Sequence, residues 1–394
     1  MSTAAGRRHH PPHPAPPAPV QRVTASVPGK LILMGEHAVV YRRPALVAAA
    51  GLRLEARFAG PRPRDRGPAT LRLDAPALGP PREVPWREII GHARRARERW
   101  QAYSERPSAA AFATLRGDDP AHVVLIALGE AAGLLGERDG PPIDLELTGE
   151  LPLGSGFGSS AATAVAVVAG YLALRSAPAG IDDVEALALE VERRQHGLPS
   201  GVDGMTVLHG GLVWAEPAGA GGALAFSAFT ARSPLLARLA VYDTGRPAEE
   251  ATGAVIAAVR ARLEADPAWG REVLDRLAEA TRGLRDELAA EAEDPGRVRA
   301  LVATGQRALE ELGVVPEPAA ALVQAIEAAG GAAKISGAGS LAGPGAGSLL
   351  AYHPEPEALA GVAELATIRR LEVPLGVEGL RLTGPDGDPP AEAG

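Results

Sequence analysis

Four short segments of this chain combine residue types that could handle phosphate groups. The most informative is residues 151–162, LPLGSGFGSSAA, where glycines and serines run directly into an alanine- and valine-rich helical pattern. Glycine lets the backbone approach a bulky anion, and the free amide groups and positive dipole at a helix start hold negative charge. The segment therefore predicts a phosphate cradle and points to nucleotide chemistry, with a serine-capped tight turn as the alternative.

A second segment, residues 28–41 with the sequence PGKLILMGEHAVVY, places three ionisable side chains in one short strand-and-turn unit. They are the cation Lys30 and the pair Glu36 and His37. These groups could belong to a catalytic site. The alternative is an exposed lysine and a buried histidine whose hydrogen bonds are satisfied.

The third segment, residues 192–204, carries two carboxylates. Glu192 lies near the end of a predicted helix, and Asp203 is expected in a turn between Gly201 and Gly204. A magnesium-dependent transfer needs one carboxylate to hold the oxygen-seeking ion and another to accept or orient the proton of an attacking hydroxyl. The alternative is that Asp203 is only a turn residue.

The fourth segment, residues 334–347 with the sequence KISGAGSLAGPGAG, is a second glycine-rich turn between strands. Its alternative interpretation is a flexible loop. Two glycine-rich loops and two carboxylates together favour phosphate handling that relies on positioning and charge neutralisation. The Walker pattern, the dinucleotide pattern G-x-G-x-x-G and the nucleophile elbow G-x-S-x-G are all unmatched in these segments.

Apolar periodicity predicts the elements that would position these segments. Strands are expected at 21–27, 45–58, 143–148, 211–215, 239–243, 332–336, 348–353 and near 376–383, with a break at Pro28 and Gly29 and a hairpin over 60–85. Helices are expected at 86–113, 120–135, 160–174, 182–195, 249–265, 269–290, 298–313, 319–330 and 357–370. The stretch at 217–224, PAGAGGAL, is the candidate domain boundary.

Composition limits the class of protein. The 394 residues suffice for two domains, and a net charge of -8 argues against a nucleic-acid binder. The absence of cysteine excludes disulfides and fits a reducing, cytoplasmic interior. The longest apolar run, residues 161–174, is shorter than the ~20 residues of a membrane span, so no membrane helix is expected. Residues 1–21, rich in proline and histidine, are predicted to be a disordered tail.

Taken together, the motifs resemble those of the GHMP kinase superfamily, which phosphorylates small-molecule hydroxyls with ATP. The resemblance rests on PGK-x-x-L-x-GEHAVVY-x-x-PAL, PLGSGFGSSAA, HG-x-PSGVD and K-x-SGAG, and it covers residues 26–383. GEHAVVY followed by PAL is most similar to the mevalonate kinases, since phosphomevalonate kinases have a GEY form and galactokinases a GEHTD form.

The resemblance implies an α+β fold in two domains with the active site in the cleft between them. Residues 22–222 would form a ribosomal-protein-S5-like, ATP-binding N-terminal domain, and residues 225–385 a ferredoxin-like C-terminal domain. The implied substrates are mevalonate and ATP, with Mg²⁺ as the metal and without nucleic-acid or membrane partners. Dimers occur in the family, so the resemblance is compatible with a homodimer.

The resemblance also implies roles for individual residues. Lys30 and Asp203 would be the catalytic pair, and Ser160 and Glu192 would bind Mg²⁺. The residues that would line the acceptor substrate are Glu36, His37, Ser200 and Gly201. The residues that would hold ATP are Pro152, Gly154, Ser155, Gly156, Gly158, Ser159, Ser160, Ala161, Lys334, Gly337, Ala338 and Gly339.

Three departures from the family pattern stand out. Either Arg42 or Arg43 stands where the family usually has glycine, and Gly204 replaces the asparagine that commonly follows the catalytic aspartate. The last loop reads SGAGSLAGPGAG where the family runs GAGGGG, so residues 340–344 resemble an insertion. Two alternatives remain open: another kinase of the superfamily, acting on phosphomevalonate or a sugar, and a nucleotide-binding regulator without catalysis.

Overall fold

The structure is a computed structural model that describes residues 21–61, 68–115, 117–152, 154–177, 179–219, 223–247 and 252–384. The predicted tail lies outside the described residues except for Gln21, which already belongs to the first strand. The predicted hairpin over 60–85, the boundary at 217–224 and the helix expected from residue 249 are described only in part.

The described elements come in runs of strands and runs of helices along the chain. The strands are β1 (Gln21–Met34), β2 (Ala45–Gly60), β3 (Thr70–Asp74), β4 (Arg82–Pro85), β5 (Ile143–Gly149), β6 (Leu212–Pro217), β7 (Leu224–Phe229), β8 (Leu239–Asp243), β9 (Ala332–Ser336), β10 (Ser348–Tyr352), β11 (Arg369–Leu371) and β12 (Arg381–Thr383). The helices are α1 (Trp86–Glu105), α2 (Ala109–Leu115), α3 (His122–Leu134), α4 (Ser159–Leu174), α5 (Ile181–His196), α6 (Val202–His209), α7 (Thr252–Ala265), α8 (Pro267–Ala289), α9 (Pro295–Glu311) and α10 (Glu317–Ala328).

The larger sheet is built from the strands between residues 21 and 229, together with β12 near the end of the described chain. In the described residues it has eight strands, in the order β12-β1-β2-β5-β3-β4, and β6 pairs with both β2 and β7. Helix α4 packs against β1 and β2, and α3 packs against α1 and α4 on the outside. Alanine and valine make α4 apolar on all sides, which is why it can lie between the sheet and the outer helices.

Strand β1 does not break at Pro28 and Gly29, so that prediction is wrong. The strand continues with a shift in register, and pairing with β2 resumes where Gly29 lies opposite Ala50. A side chain at Gly29 would meet Leu151 at 2.5 Å and the Phe157 carbonyl at 3.1 Å. The irregularity therefore lets β1 lie directly against the first glycine loop.

The smaller sheet is antiparallel, in the order β11-β8-β10-β9, and helices α9 and α10 pack on β9. Two of the preceding helices begin in the same way. Asp266 caps α8 by accepting from the amides of Ala268 and Trp269, and Asp294 caps α9 by accepting from the two amides that follow Pro295. Asp-Pro supplies both a capping oxygen and a proline at the first helical position, which favours a helix start there.

The α+β class predicted from the sequence is confirmed by this arrangement of two sheets and their helices. Strand β7 pairs with β6 along its whole length, so the stretch at 217–224 connects two strands of the larger sheet. The smaller sheet starts only with β8. We therefore propose that the domain division falls between Phe229 and Leu239, and that β12, which pairs with β1, returns to the first domain.

Two other predictions about elements need correction. The helix expected at 86–113 is divided into α1 and α2 at Arg106. The helix expected at 357–370 is replaced by two 3₁₀ helices, Pro356–Gly361 and Ala363–Thr367, followed by β11. Across the described ranges, none of the helices combines the length and the apolar character that crossing a membrane would require.

Candidate active site

The first glycine loop has a backbone that requires glycine. Gly154, Gly156 and Gly158 have φ values of 77°, 85° and 70°, a region that other residues rarely adopt. A side chain at Gly156 would lie 2.8 Å from the Ser336 carbonyl, and one at Gly158 would lie 2.7 Å from the Lys30 side chain. The loop is therefore a tight cradle closed from both sides by other parts of the chain.

The loop is held in place through its carbonyl groups. The Lys30 amide donates to the Phe157 carbonyl at 2.9 Å, and the Ser348 hydroxyl donates to the carbonyl of the buried Ser155 at 2.7 Å. Helix α4 starts immediately afterwards, at Ser159, and the first amides of a helix have no partner within it. The loop thus offers amide donors while its acceptors are occupied, which suits an anion.

The side chains of Lys30 and Asp203 contact each other within the first domain. The Lys30 ammonium lies 3.2 Å from the Asp203 carboxylate, with side-chain exposures of 5% and 34%. Lys30 is thus nearly enclosed, whereas Asp203 remains open to an incoming molecule. The sequence predicted both residues for one site, and the structure brings them into contact.

Asp203 does not lie in a turn as expected. It stands in the first turn of α6, whose preceding residue Gly201 has φ 82°. The Ser200 hydroxyl accepts from the Val202 amide at 3.4 Å just before this helix. A helix holds the carboxylate more rigidly than a turn would, and a carboxylate is favoured at a helix start.

Glu192 lies on α5 beside this pair and is only 4% exposed. Burial, and then the negative charge of Asp203, raise the pKa of Glu192 to about 8, against the opposing effects of the Gly204 backbone and the Lys30 ammonium. A side chain at residue 204 would lie 2.6 Å from the Glu192 carboxylate. Glycine at 204, where the family commonly has asparagine, thus leaves room for the buried acid.

Two buried oxygen atoms at this site lack a partner in the described part of the chain. They are the Ser160 hydroxyl oxygen and Oε1 of Glu192. Mg²⁺ in kinases usually has one or two protein ligands, and substrate phosphates and waters complete its shell. The two oxygens fit such a site, although the described residues contain no group of three acidic or histidine side chains placed for a metal.

The second glycine loop faces the first across a cavity of about 390 Å³. Gly337 has φ 106°, and a side chain there would approach Gly156 at 3.3 Å. Ala338 and Gly339 also line the cavity. The two glycine loops therefore form opposite walls of one space, as their common chemistry suggested.

Arg246, which no sequence motif indicated, also lines this cavity. A side chain at Gly154 would meet its guanidinium at 3.3 Å, so the cation lies over the first glycine loop. No carboxylate within the described ranges pairs with Arg246. A single arginine after β8 carries no motif of its own, so only its position in the fold singles it out.

The insertion predicted at residues 340–344 lies between two sets of backbone contacts. Ser340 is buried, and its amide donates to the Val314 carbonyl at 2.9 Å. After the insertion, the Ala346 amide donates to the Thr244 hydroxyl at 2.9 Å. The residues that follow the insertion, Ala346 and Gly347, thus tie the segment that carries Arg246 to the smaller sheet.

Other predicted site residues lie farther from solvent. Lys334 is fully buried on β9, where its ammonium pairs with the buried carboxylate of Glu36. The His37 Nε2–H group donates to the Ala338 carbonyl at 2.9 Å, and burial lowers the pKa of His37 against that hydrogen bond. Each of these three side chains therefore makes its contact with the other domain rather than with the open cavity.

The remaining predicted phosphate-loop residues flank the cradle. Pro152 is half-buried before the first glycine, and Ala161 is buried on α4. Ser159 begins α4, and its carbonyl accepts from the Thr163 hydroxyl at 2.8 Å. These residues therefore lie at the two ends of the loop.

A small apolar cluster lies on the same face of the larger sheet as Lys30. Ile32 is two residues along β1 from Lys30 and so points to the same side. The cluster also contains Val202, which precedes Asp203, and the half-buried Phe226 packs against it. Its other buried members are Val39, Ala45, Val47, Val213 and Ala215. The sheet therefore places an apolar wall next to the charged pair.

Comparison with known proteins agrees with this geometry. Residues 123–211 match the family described as GHMP kinases N terminal domain. The mevalonate kinase of Archaeoglobus fulgidus is 31% identical over 322 residues, which is 80% of this chain and 88% of that protein.

Two solved structures share the fold. The Methanococcus jannaschii mevalonate kinase has a TM-score of 0.65 at 16% identity, covering 89% of this chain and 98% of that one. The Streptococcus pneumoniae phosphomevalonate kinase, in complex with phosphomevalonate and AMPPNP, has a TM-score of 0.62 at 15% identity, covering 89% and 99%. The facing glycine loops and the Lys30–Asp203 contact lie within this shared fold, and the chain belongs to the GHMP kinases, in the family of the mevalonate kinases.

Proposed function

We propose that this enzyme transfers the γ-phosphoryl group of ATP to the primary hydroxyl of mevalonate and so forms 5-phosphomevalonate. The observation that carries the proposal is the contact of Lys30 with Asp203 at 3.2 Å, beside the buried Glu192 and the glycine cradle. Phosphoryl transfer depends on positioning and charge stabilisation, and these groups supply both.

Asp203 is the group that receives the proton of the acceptor hydroxyl. It is exposed enough to contact a substrate, and Lys30 holds its carboxylate in one direction. Lys30 also supplies positive charge where the attacking oxygen becomes more negative. As the new oxygen–phosphorus bond forms and the bond to ADP breaks, the hydroxyl proton passes to Asp203.

The phosphates of ATP would be held by the backbone of residues 154–160 and the start of α4. Ser160 and Glu192 would hold Mg²⁺ through the two oxygen atoms that lack a partner in the described part of the chain. When bound, the ion supplies charge neutralisation at the transferring phosphoryl group. Arg246, which lies over the same loop, would neutralise further negative charge of the substrates.

The apolar wall favours mevalonate over a sugar as the acceptor. Mevalonate carries a methyl group on a short carbon chain, whereas a sugar presents hydroxyls on every side. Val202 and Phe226 could cover the methyl group but would leave sugar hydroxyls without hydrogen bonds. A buried polar group without a partner costs about 1–3 kcal/mol, so a polyhydroxylated acceptor is disfavoured here.

The test is release of ADP by the purified enzyme with ATP, Mg²⁺ and a panel of acceptors. The panel contains mevalonate, phosphomevalonate, galactose and homoserine. We expect turnover with mevalonate to exceed that with any other acceptor by at least about a hundredfold in kcat/KM. Faster turnover of phosphomevalonate or galactose would replace the assigned substrate, and absence of ADP release with all of them would favour a non-catalytic nucleotide-binding protein.

A further inference from the structure

A buried ion pair joins the two domains at the edge of the active site. Glu36 follows β1 and Lys334 lies on β9, and their side chains are 1% and 0% exposed. The Lys334 ammonium donates to the Glu36 carboxylate and to the Ile335 carbonyl at 2.7 Å. Burying two charges is costly unless each is paired, so losing one partner would leave the other uncompensated.

Two further contacts surround this pair. The Ser336 hydroxyl donates to the Ile32 carbonyl at 2.9 Å, and the His37 ring bonds to the Ala338 carbonyl at the same distance. His37 has φ 56° and ψ -45°, a conformation that a residue with a side chain adopts only when its surroundings impose it. Side-chain contacts to the second domain thus hold the turn at residues 35–37 in a strained shape.

The same pair connects the two walls of the cavity. On one side, Glu36 is continuous with the strand that carries Lys30. On the other side, Lys334 is followed directly by the second glycine loop. Burial lowers the pKa of Lys334, the Glu36 carboxylate opposes this shift, and the Lys30 ammonium adds to it. The pair therefore lies within electrostatic reach of the catalytic lysine.

We propose that Glu36 and Lys334 form an interdomain latch that sets the spacing between the two glycine loops and the direction of Lys30, and that neither side chain contacts substrate. The proposal rests on the phosphoryl transfer proposed above. It replaces the expectation that Glu36 lines the acceptor and that Lys334 contacts the nucleotide. Both are positioning residues, because they act through the strand and the loop to which they belong.

The test is a double-mutant cycle with Glu36→Met, Lys334→Met and the combined variant, because Met fills a similar volume without charge. We expect each single variant to lower Tm by roughly 10 °C and kcat by about tenfold or more, since it leaves one buried charge unpaired. The combined variant should recover Tm to within a few degrees and most of kcat, with the KM for ATP within about threefold of the wild type.

The matched control is the exposed pair Arg307 and Glu327 within the second domain. Arg307→Gln combined with Glu327→Gln should change Tm and kcat little, because exposed ion pairs contribute little stability. If Lys334 is a nucleotide ligand instead, Lys334→Met and the combined variant will raise the KM for ATP equally, and Glu36→Met will not. That pattern overturns the latch.

Glu36→Gln covers the case in which the methionine variants fail to fold, since it keeps the shape of the side chain. We expect it to lower Tm and kcat with the KM for ATP unchanged, and a large rise in that KM would contradict the proposal. Coupling in Tm without coupling in kcat would also overturn it, because the pair would then only stabilise the fold. Tm is measured without substrate, so the coupling in Tm between Glu36 and Lys334 does not depend on whether mevalonate is the acceptor.

Discussion

The two walls of the active-site cavity use similar glycine-rich sequences in opposite ways. Near the first wall, on the helices that follow its loop, polar groups remain available: the Ser160 hydroxyl and Oε1 of Glu192 have no partner in the described residues, and Asp203 is 34% exposed. At the second wall, the Lys334 ammonium is paired with Glu36 and the Ala338 carbonyl with a histidine, while Oε2 of the buried Glu36 has no partner in the described residues. We infer that the first wall binds the substrates and that the second holds the first in place.

The largest expected effect is on the first wall, at Asp203. Asp203→Ala removes the proton acceptor, so we expect kcat to fall by roughly 10³-fold while the affinity for ATP stays within a few-fold. Single-turnover kinetics and binding of a fluorescent ATP analogue would measure the two quantities. Asp203→Asn is the control for shape and should be equally slow, so a near-normal rate in either variant would contradict the assigned role.

The next largest expected effect is on the concentration of Mg²⁺ that the enzyme requires. Ser160→Ala removes one of the two oxygens that lack a partner, so we expect the Mg²⁺ concentration for half-maximal rate to rise by about 10- to 100-fold. Thr163→Ala on the same helix is the control, since that hydroxyl bonds back to the Ser159 carbonyl. An unchanged Mg²⁺ requirement in Ser160→Ala would remove this residue from the metal site.

A pair of glycine substitutions compares the walls directly. A side chain at Gly339 would meet the Val314 carbonyl at 2.1 Å, whereas one at the exposed Gly154 would meet only the tip of Arg246. We expect Gly339→Ala to lower the free energy of unfolding by about 2–4 kcal/mol with little change in the KM for ATP. Gly154→Ala should instead raise that KM about tenfold and affect stability less.

Chemical denaturation and steady-state kinetics would separate these two outcomes. Should Gly154→Ala destabilise the protein more than Gly339→Ala does, the distinction between a binding wall and a supporting wall would fail.

A last prediction concerns how the stability of the protein depends on pH at Glu192. Its pKa is raised from 4.5 to about 8 in the folded protein, so between these values the folded state keeps a proton that the unfolded chain releases. The free energy of unfolding therefore decreases as pH rises, by about 1.4 kcal/mol per pH unit for this group. Glu192→Gln should remove that decrease and be more stable than the wild type, most of all above pH 8.

Thermal unfolding at pH 5, 7 and 8.5 without Mg²⁺ and nucleotide would measure this difference. A gain that is the same at all three values would show that the acid is not held protonated. The same variant should lose activity, because it lacks the charged oxygen that we propose as a metal ligand.

Much of the local structure could be predicted from the sequence. The alternation of apolar and polar residues in β2 and the apolar run in α4 are visible in the sequence itself. Both elements lie where expected. The glycines of the first loop also pointed correctly to a backbone that only glycine can adopt. Predictions failed where neighbours decide the outcome, as at Pro28, where pairing with β2 outweighs the local tendency of proline to end a strand.

By itself, the sequence determined which residues could do chemistry and which short segments carry them, because residue type and local period are properties of the chain. Only the tertiary structure decided how they meet. It placed Lys30 against Asp203, brought Arg246 over the first glycine loop and paired Lys334 with Glu36 instead of leaving it free for a phosphate. Distances between residues remote in sequence depend on how sheets and helices pack, and burial then decides whether a charge binds a substrate or another side chain.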